Sequence, residues 1–96
     1  MGFRIISKNV EVEEDHLSHF DVHYVPEWKV WCVSAQSQNG MISIAEWRGY
    51  EGDECEYFHY RIDAVEQAME YARASGVRKI LIESKDGLIT KWRIIR

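Results

Sequence analysis

One segment of the sequence, between residues 64 and 75, has the apolar spacing of an amphipathic helix. Its apolar side chains recur at positions i, i+3, i+4 and i+7, which places them on one face: Val65, Ala68, Met69 and Ala72. Asp63 is a suitable N-cap, Glu66 completes a capping box, and Gly76 suits the left-handed residue that ends a helix. The sequence therefore predicts a helix from about Ala64 to Ser75, lying close against a sheet because its apolar residues are small.

Runs that alternate apolar and polar residues precede this helix, and such runs are typical of strands with one exposed face. The predicted strands are residues 3–6, 10–13, 20–24, 28–34 and 41–47. In the third of them, Phe20, Val22 and Tyr24 share a face. Asn39-Gly40 predicts a hairpin between the last two strands.

A second hairpin follows the helix, and its register depends on the length of the loop at Asp86-Gly87. A three-residue loop, Lys85-Asp86-Gly87, puts five apolar residues on one face: Ile80, Ile82, Leu88, Trp92 and Ile94. The outward residues are then Lys79, Glu83, Lys91 and Arg93. A two-residue turn would instead put Lys91 and Arg93 on the face of the isoleucines, so we expect the three-residue form. The order of strands, helix and C-terminal β-hairpin predicts an α+β fold, an antiparallel β-sheet with one α-helix packed on one face.

Composition is consistent with one domain over residues 1–96, because 46% of the residues are hydrophobic and no linker interrupts the chain. No run of about twenty apolar residues is present, and no signal peptide is evident, so we expect a cytoplasmic protein that is not in a membrane. The two cysteines, Cys32 and Cys55, are too few for a disulfide scaffold and are interpreted as thiols.

Charge is unevenly distributed along the chain, whose net charge is −4. Residues 1–60 have four basic and eleven acidic side chains, a net charge of −7, whereas residues 61–96 have a net charge of +3. General nucleic-acid binding needs a basic surface, so the acidic balance argues against that class.

Several structural motifs together resemble a small bacterial family of unknown function. The motifs are Val25-Pro26, Trp31 with Val33, an alanine-rich helix with Ala64, Ala68 and Ala72, Ile80-Leu81-Ile82, and Lys85-Asp86-Gly87. The resemblance covers about residues 23–92, and it implies a bacterial or phage origin and the fold above, but no catalytic residue. The chain departs from the family pattern in its longer segment from Trp47 to Arg61 and in its N-terminal stretch.

Histidine and cysteine spacing gives one candidate metal site. His16, His19 and His23 would share a face of a helix, and Cys55 and His59 could complete a tetrahedral zinc site. Because His23 falls in an alternating strand, we interpret the histidines as surface residues beside acidic side chains and expect neither a metal nor another cofactor. Cys55 with His59 is also the one nucleophile and base pair that could be proposed, but Asp53, Glu54 and Glu56 disfavour its thiolate. We therefore expect no enzyme activity.

The connection before the helix, residues 47–60, combines aromatic and acidic side chains, a composition suited to a basic protein partner. The predicted partner-binding residues are Trp47, Tyr50, Glu51, Asp53, Glu54, Glu56 and Tyr57, together with Glu13, Glu14 and Asp15. The predicted function is that of a small regulator or inhibitor that binds a basic protein. As an alternative for this segment, Trp47, Tyr57 and Phe58 cover the end of the sheet or extend it as a strand.

Two other functions stay open. The basic residues of the C-terminal hairpin could bind nucleic acid or a small ligand: Lys79, Lys91, Arg93 and Arg96. Alternatively, the acidic and basic parts of the chain are complementary, so the domain could associate with itself as a homodimer.

Overall fold

The computed structural model describes residues 3–7, 10–13, 17–48 and 56–95, and the side chains of residues 17–45, 47, 48 and 56–95. Its elements in chain order are β1 Phe3–Ser7, β2 Val10–Glu13, β3 Leu17–Val25, β4 Val30–Ser37, β5 Gly40–Ser43, α1 Ile44–Arg48, β6 Glu56–Phe58, α2 Arg61–Ser75, β7 Lys79–Glu83 and β8 Thr90–Ile94. The predicted α+β class is confirmed, with one long helix between the N-terminal strands and a closing hairpin. Neither described helix is long and apolar enough to cross a membrane.

The main sheet has six strands and is mixed, which corrects the prediction of a wholly antiparallel sheet. Its order is β5-β4-β3-β7-β8, and β6 also pairs with β4, whereas β1 and β2 form a separate antiparallel pair. All pairs in the sheet are antiparallel except β3 with β7. Both β3 and β6 run antiparallel to β4, so β6 and β7 point in the same direction and α2 is the crossover between them. A helical crossover returns the chain parallel to β3, which sequence periodicity alone does not reveal.

The core lies between α2 and one face of the sheet. Ala64, Ala68 and Ala72 of the helix are fully buried, and they face strand residues that include Phe20 and Ile80. The small-residue stripe of the helix is therefore confirmed. Close approach is possible because these side chains fill little space between helix and strands.

The ends of α2 differ in how well the sequence predicts them. Gly76 ends the helix at φ 80°, in the left-handed region, as predicted. The helix begins at Arg61, however, with Tyr60 as N-cap in an extended conformation and no side-chain capping hydrogen bond. Asp63, the predicted cap, instead lies in the first turn, where its negative charge suits the positive end of the helix.

The predicted strand over residues 41–47 is wrong in its second half, because β5 ends at Ser43 and α1 begins at Ile44. Ile44 is almost completely buried in the core, and Trp47 packs against the same core. Residues three apart share a face of a helix but lie on opposite faces of a strand, so only the helical turn directs both side chains inward.

The loop of the C-terminal hairpin has four residues, 85–88, and the predicted register is wrong. The Ser84 amide donates to the Ile89 carbonyl, at 2.8 Å, and closes this loop. Ile80 and Ile82 consequently lie opposite Arg93 and Lys91. Trp92 and Ile94 therefore lie with Leu81 on the side of the sheet opposite α2. This differs from the expected arrangement, in which one face holds Ile80, Ile82, Leu88, Trp92 and Ile94.

Hydrogen bonds within the loop account for this register. Asp86 Oδ1 accepts from Ser84 Oγ at 2.6 Å and from the Leu88 amide at 3.0 Å. Burial of apolar side chains does not favour another register, since all five residues of β8 are exposed. An apolar pattern determines register only where one face of a strand is buried.

Candidate functional site

Trp47, the first of the predicted partner-binding residues, belongs to the core boundary. Its ring centroid lies 5.0 Å from that of Phe20 and 5.2 Å from that of Tyr71, both in edge-to-face geometry. The side chain is half-buried. This placement corresponds to the alternative in which Trp47 covers the end of the sheet.

Glu56 and Tyr57 lie in β6, which pairs with β4 and realises the alternative of an added strand. Glu56 accepts a hydrogen bond from the Tyr71 hydroxyl. Tyr57 is exposed, and its ring meets that of Trp28 edge to face at 5.2 Å. The backbone of Glu13 is in β2. The remaining predicted residues lie outside the described part of the chain: Tyr50, Glu51, Asp53, Glu54, Glu14 and Asp15.

The candidate zinc site is only partly described, and it consists of His16, His19, His23, Cys55 and His59. His19 is half-buried in β3, with its ring 4.8 Å from that of Trp92, and His59 is exposed before α2. Burial lowers the pKa of His19, the carboxylate of Asp21 opposes this, and the Lys79 charge adds to it. His16 and Cys55 lie outside the described residues, and Cys32 is buried in β4.

The outer edge of β8 is the end of the main sheet, and in the described part of the chain β8 pairs only with β7. The Ser84–Ile89 and Arg78–Ile95 bonds fix which residues of β8 face β7. Because hydrogen-bonded and non-hydrogen-bonded pairs alternate, the amides and carbonyls of Thr90, Trp92 and Ile94 point to the outer edge. This edge can therefore accept another strand.

Apolar side chains surround this edge. On the face opposite α2, Trp92 is 47% exposed and Ile94 is 61% exposed. Leu88 and Ile89, next to the hairpin tip, are also exposed. Such a group of exposed apolar side chains at a strand edge is typical of an interaction surface.

Basic side chains of the hairpin lie on both of its faces, contrary to the expectation of one basic face. Lys91 and Arg93 are on the α2 side, where they line a groove with Arg61 and Ile62. Lys79 is on the opposite side, with its Nζ 4.4 Å from the centre of the Trp92 ring. Arg96 lies outside the described residues.

A compact group of ionisable side chains occupies the face opposite α2, formed by Asp21, His23 and Glu83. Each offers one ligand atom, and these atoms lie within 4.8 Å of one another. His23 Nδ1 is 3.7 Å from Asp21 Oδ1. Asp21 and His23 are two residues apart in β3, and the parallel pairing of β3 with β7 brings Glu83 beside them.

Burial and the proximity of two carboxyl groups perturb this group. Burial, followed by a hydrogen bond and charge repulsion from Asp21, raises the pKa of Glu83 to about 7, and the His23 charge opposes the rise. Asp21 is only 8% exposed, and its Oδ1 has no hydrogen-bond partner among the described residues. Ser34 Oγ, on the directly opposite residue of β4, is likewise buried without a partner in that part of the chain.

The sequence analysis did not predict this group, although the alternation of residues in β3 indicates part of it. If Phe20, Val22 and Tyr24 share one face of a strand, then His19, Asp21 and His23 share the other. Glu83 could not be added, because it comes from a distant strand that was expected to be antiparallel to its neighbours.

No family model, curated protein or solved structure matches this chain. The resemblance to a small bacterial family therefore stays a prediction.

Proposed function

We propose that this domain is a non-enzymatic protein-binding module that accepts an extended, acidic segment of a partner protein along the outer edge of β8. The observation that carries the proposal is the position of β8 at the end of the sheet, with the backbone groups of Thr90, Trp92 and Ile94 pointing outward. Addition of a strand to such an edge is a common mode of peptide recognition, in which backbone hydrogen bonds supply affinity and side chains supply specificity.

Charge favours an acidic partner. A strand added to β8 would place alternate side chains beside Lys91 and Arg93, next to the groove that Arg61 also lines. Acidic side chains there would form favourable cross-strand pairs. The other side chains of the strand would lie beside Trp92 and Ile94, where apolar residues would bury exposed surface.

Pairing with a second copy of the domain is less favourable. An antiparallel pair of β8 strands centred on Trp92 would place Lys91 of one copy opposite Arg93 of the other. Like charges directly opposite each other destabilise a strand pair. The homodimer expected as an alternative is therefore not the occupant that we propose for this edge.

A short synthetic peptide of alternating valine and glutamate is the probe for this function. We expect it to bind the full chain and to shift the backbone amide resonances of β8 in NMR spectra. Arg93→Glu should weaken binding several-fold, whereas Lys29→Glu, an equal reversal of charge in the exposed turn before β4, should leave it unaltered. Equal weakening by both variants would indicate general charge attraction and contradict the proposal.

Thr90→Pro tests the strand geometry itself. Thr90 is the first residue of β8 and its amide faces outward, so proline there removes a donor from the edge and leaves the bonds to β7 in place. We expect a folded protein that no longer binds the peptide. Unchanged binding by this variant would show that the peptide does not pair with β8.

A basic partner for residues 47–60 is a second proposal, supported by the exposed ring pair of Trp28 and Tyr57. Rings that are exposed and already in contact offer a preorganised apolar surface to a partner. A peptide of alternating valine and lysine tests it: Tyr57→Ala should weaken its binding, and Tyr60→Ala, also exposed, should not. If Tyr57→Ala and Tyr60→Ala both bind the peptide as tightly as the unaltered chain does, the ring pair is not the binding surface and this second proposal is wrong.

A further inference from the structure

A second binding site lies within the sheet, away from the outer edge of β8 and independent of the proposed peptide binding. We propose that Asp21, His23 and Glu83 bind a divalent transition-metal ion of the zinc class. Two oxygen ligands and one imidazole nitrogen come from two adjacent strands, and their ligand atoms lie within 4.8 Å of one another.

The spacing of the ligand atoms suits such an ion. Ligands about 2.0–2.1 Å from a tetrahedral zinc ion are separated from one another by about 3.3 Å. His23 Nδ1 and Asp21 Oδ1, at 3.7 Å, already approach this separation. The ligand oxygen of the half-buried Glu83 lies within 4.8 Å of the other two ligand atoms, so it would have to move closer by about 1.5 Å at most. Solvent would take the fourth position, as in zinc sites with three protein ligands.

The condition of Asp21 is the independent observation that points to a cation. Asp21 is 8% exposed, and its Oδ1, which lies 3.7 Å from His23 Nδ1, has no hydrogen-bond partner in the described residues. Burying an ionised carboxylate oxygen without a hydrogen bond is costly. A metal ion bound to Oδ1 would supply a strong interaction where no hydrogen bond is made, and its charge would offset the charge repulsion between Asp21 and Glu83.

The donor set distinguishes among cations. Calcium takes six to eight oxygen ligands and magnesium keeps a nearly ideal octahedron rich in water, so neither is suited to one imidazole with two carboxylates. Imidazole favours the later first-row transition metals. The shared strand positions of Asp21 and His23 hold their side chains on one face, which preorganises two of the three ligands.

Zinc titration of the chelator-treated full chain, followed by calorimetry and by metal analysis after dialysis, tests the proposal. We expect one high-affinity Zn²⁺ ion per chain, and no comparable binding of Mg²⁺ or Ca²⁺. His23→Ala and Glu83→Gln should each weaken Zn²⁺ binding by about 100-fold, the upper end of the loss seen when only an outer-sphere partner is removed. His59→Ala, which changes an exposed histidine of another segment, should bind as the unaltered chain does.

Cobalt gives a second readout that separates a folded site from adventitious binding. Co²⁺ in place of Zn²⁺ should give the intense visible absorption of a tetrahedral site in the unaltered chain, and Glu83→Gln should lose it while its circular dichroism remains that of the folded protein. Absence of stoichiometric zinc binding by the unaltered chain would overturn the proposal. Full-affinity binding by both His23→Ala and Glu83→Gln would overturn it as well, because the metal would then be held elsewhere.

Discussion

The hydroxyl of Tyr71 donates a hydrogen bond to the carboxylate of Glu56 and thereby joins α2 to β6. Arg48 of α1 also donates to the same hydroxyl, at 3.2 Å. One side chain thus connects three elements that follow one another in the sequence. The aromatic ring of Tyr71 is at the same time part of the core, against Phe20 and Trp47.

Tyr71→Phe should destabilise the protein by about 1–2 kcal/mol, because the carboxylate of Glu56 loses its donor while the ring remains in place. Denaturation by urea measures the change in the free energy of unfolding. Tyr60→Phe, at an exposed position just before α2, is the matched control and should have little effect. Equal midpoints for Tyr71→Phe and the unaltered chain would show that this hydroxyl contributes nothing.

Alkaline pH should reveal the same contact. Burial and the hydrogen bond to Glu56 raise the pKa of Tyr71 to about 12, above its ordinary value of 10.0. A raised pKa means that the folded state favours the protonated hydroxyl, so this contribution is complete below pH 10 and is lost as pH rises toward 12. Stability measured across this range should fall more in the unaltered chain than in Tyr71→Phe. Parallel pH profiles for the two proteins would contradict the assignment.

The close approach of α2 to the sheet should make Ala68→Leu destabilising by about 1–3 kcal/mol, because added methyl groups overpack the core. Ala68 is fully buried in the contact with the strands. Ala74→Leu makes the same change at an exposed position of the same helix, and we expect it to alter stability by less than about 0.5 kcal/mol. Thermal unfolding of the two variants distinguishes the positions, and similar losses in both would argue against the packing.

The loop of the C-terminal hairpin should weaken in acid. Hydrogen bonds from Ser84 and from the Leu88 amide hold the pKa of Asp86 below its ordinary value of 3.8. Because the pKa of Asp86 is lower in the folded protein, its ionised carboxylate stabilises the folded state at pH values above the ordinary pKa. This contribution disappears as the pH falls through the pKa of the folded state. Asp86→Ala should remove that part of the acid dependence, as measured by hydrogen exchange in β8. If acid weakens the hairpin equally in both proteins, the hydrogen bonds of Asp86 do not contribute to its stability.

Features predicted correctly from the sequence are those that depend on neighbouring residues. The repeat of Ala68 and Ala72 identified the buried face of α2, and Gly76 identified its end. Alternation in β3 correctly placed Phe20 and Val22 on one face of the strand, and both side chains are fully buried. In these elements one face is buried, so burial and periodicity agree.

Other features depend on contacts that a local pattern does not contain. The strand expected through Trp47 becomes a helical turn because Ile44 and Trp47 both reach the core. The register of β8 follows the hydrogen bonds of Asp86 rather than the apolar residues of an exposed strand. For the candidate metal site, Asp21 and His23 could be paired from their alternation, but Glu83 required knowledge of the parallel neighbour of β3.

The parallel pairing of β3 with β7 also determines the order in which the chain can fold. Phe20 and Ile80, which are opposite each other in this pair, are sixty residues apart in the sequence. Contacts of such long range form slowly, because loop-closure entropy is lost before they contribute. The β3–β4 hairpin can form early, but during synthesis β3 cannot pair with β7 until α2 and β7 have both emerged from the ribosome. Substitutions that slow the docking of α2 should therefore prolong the period in which nascent chains are prone to aggregate through β3.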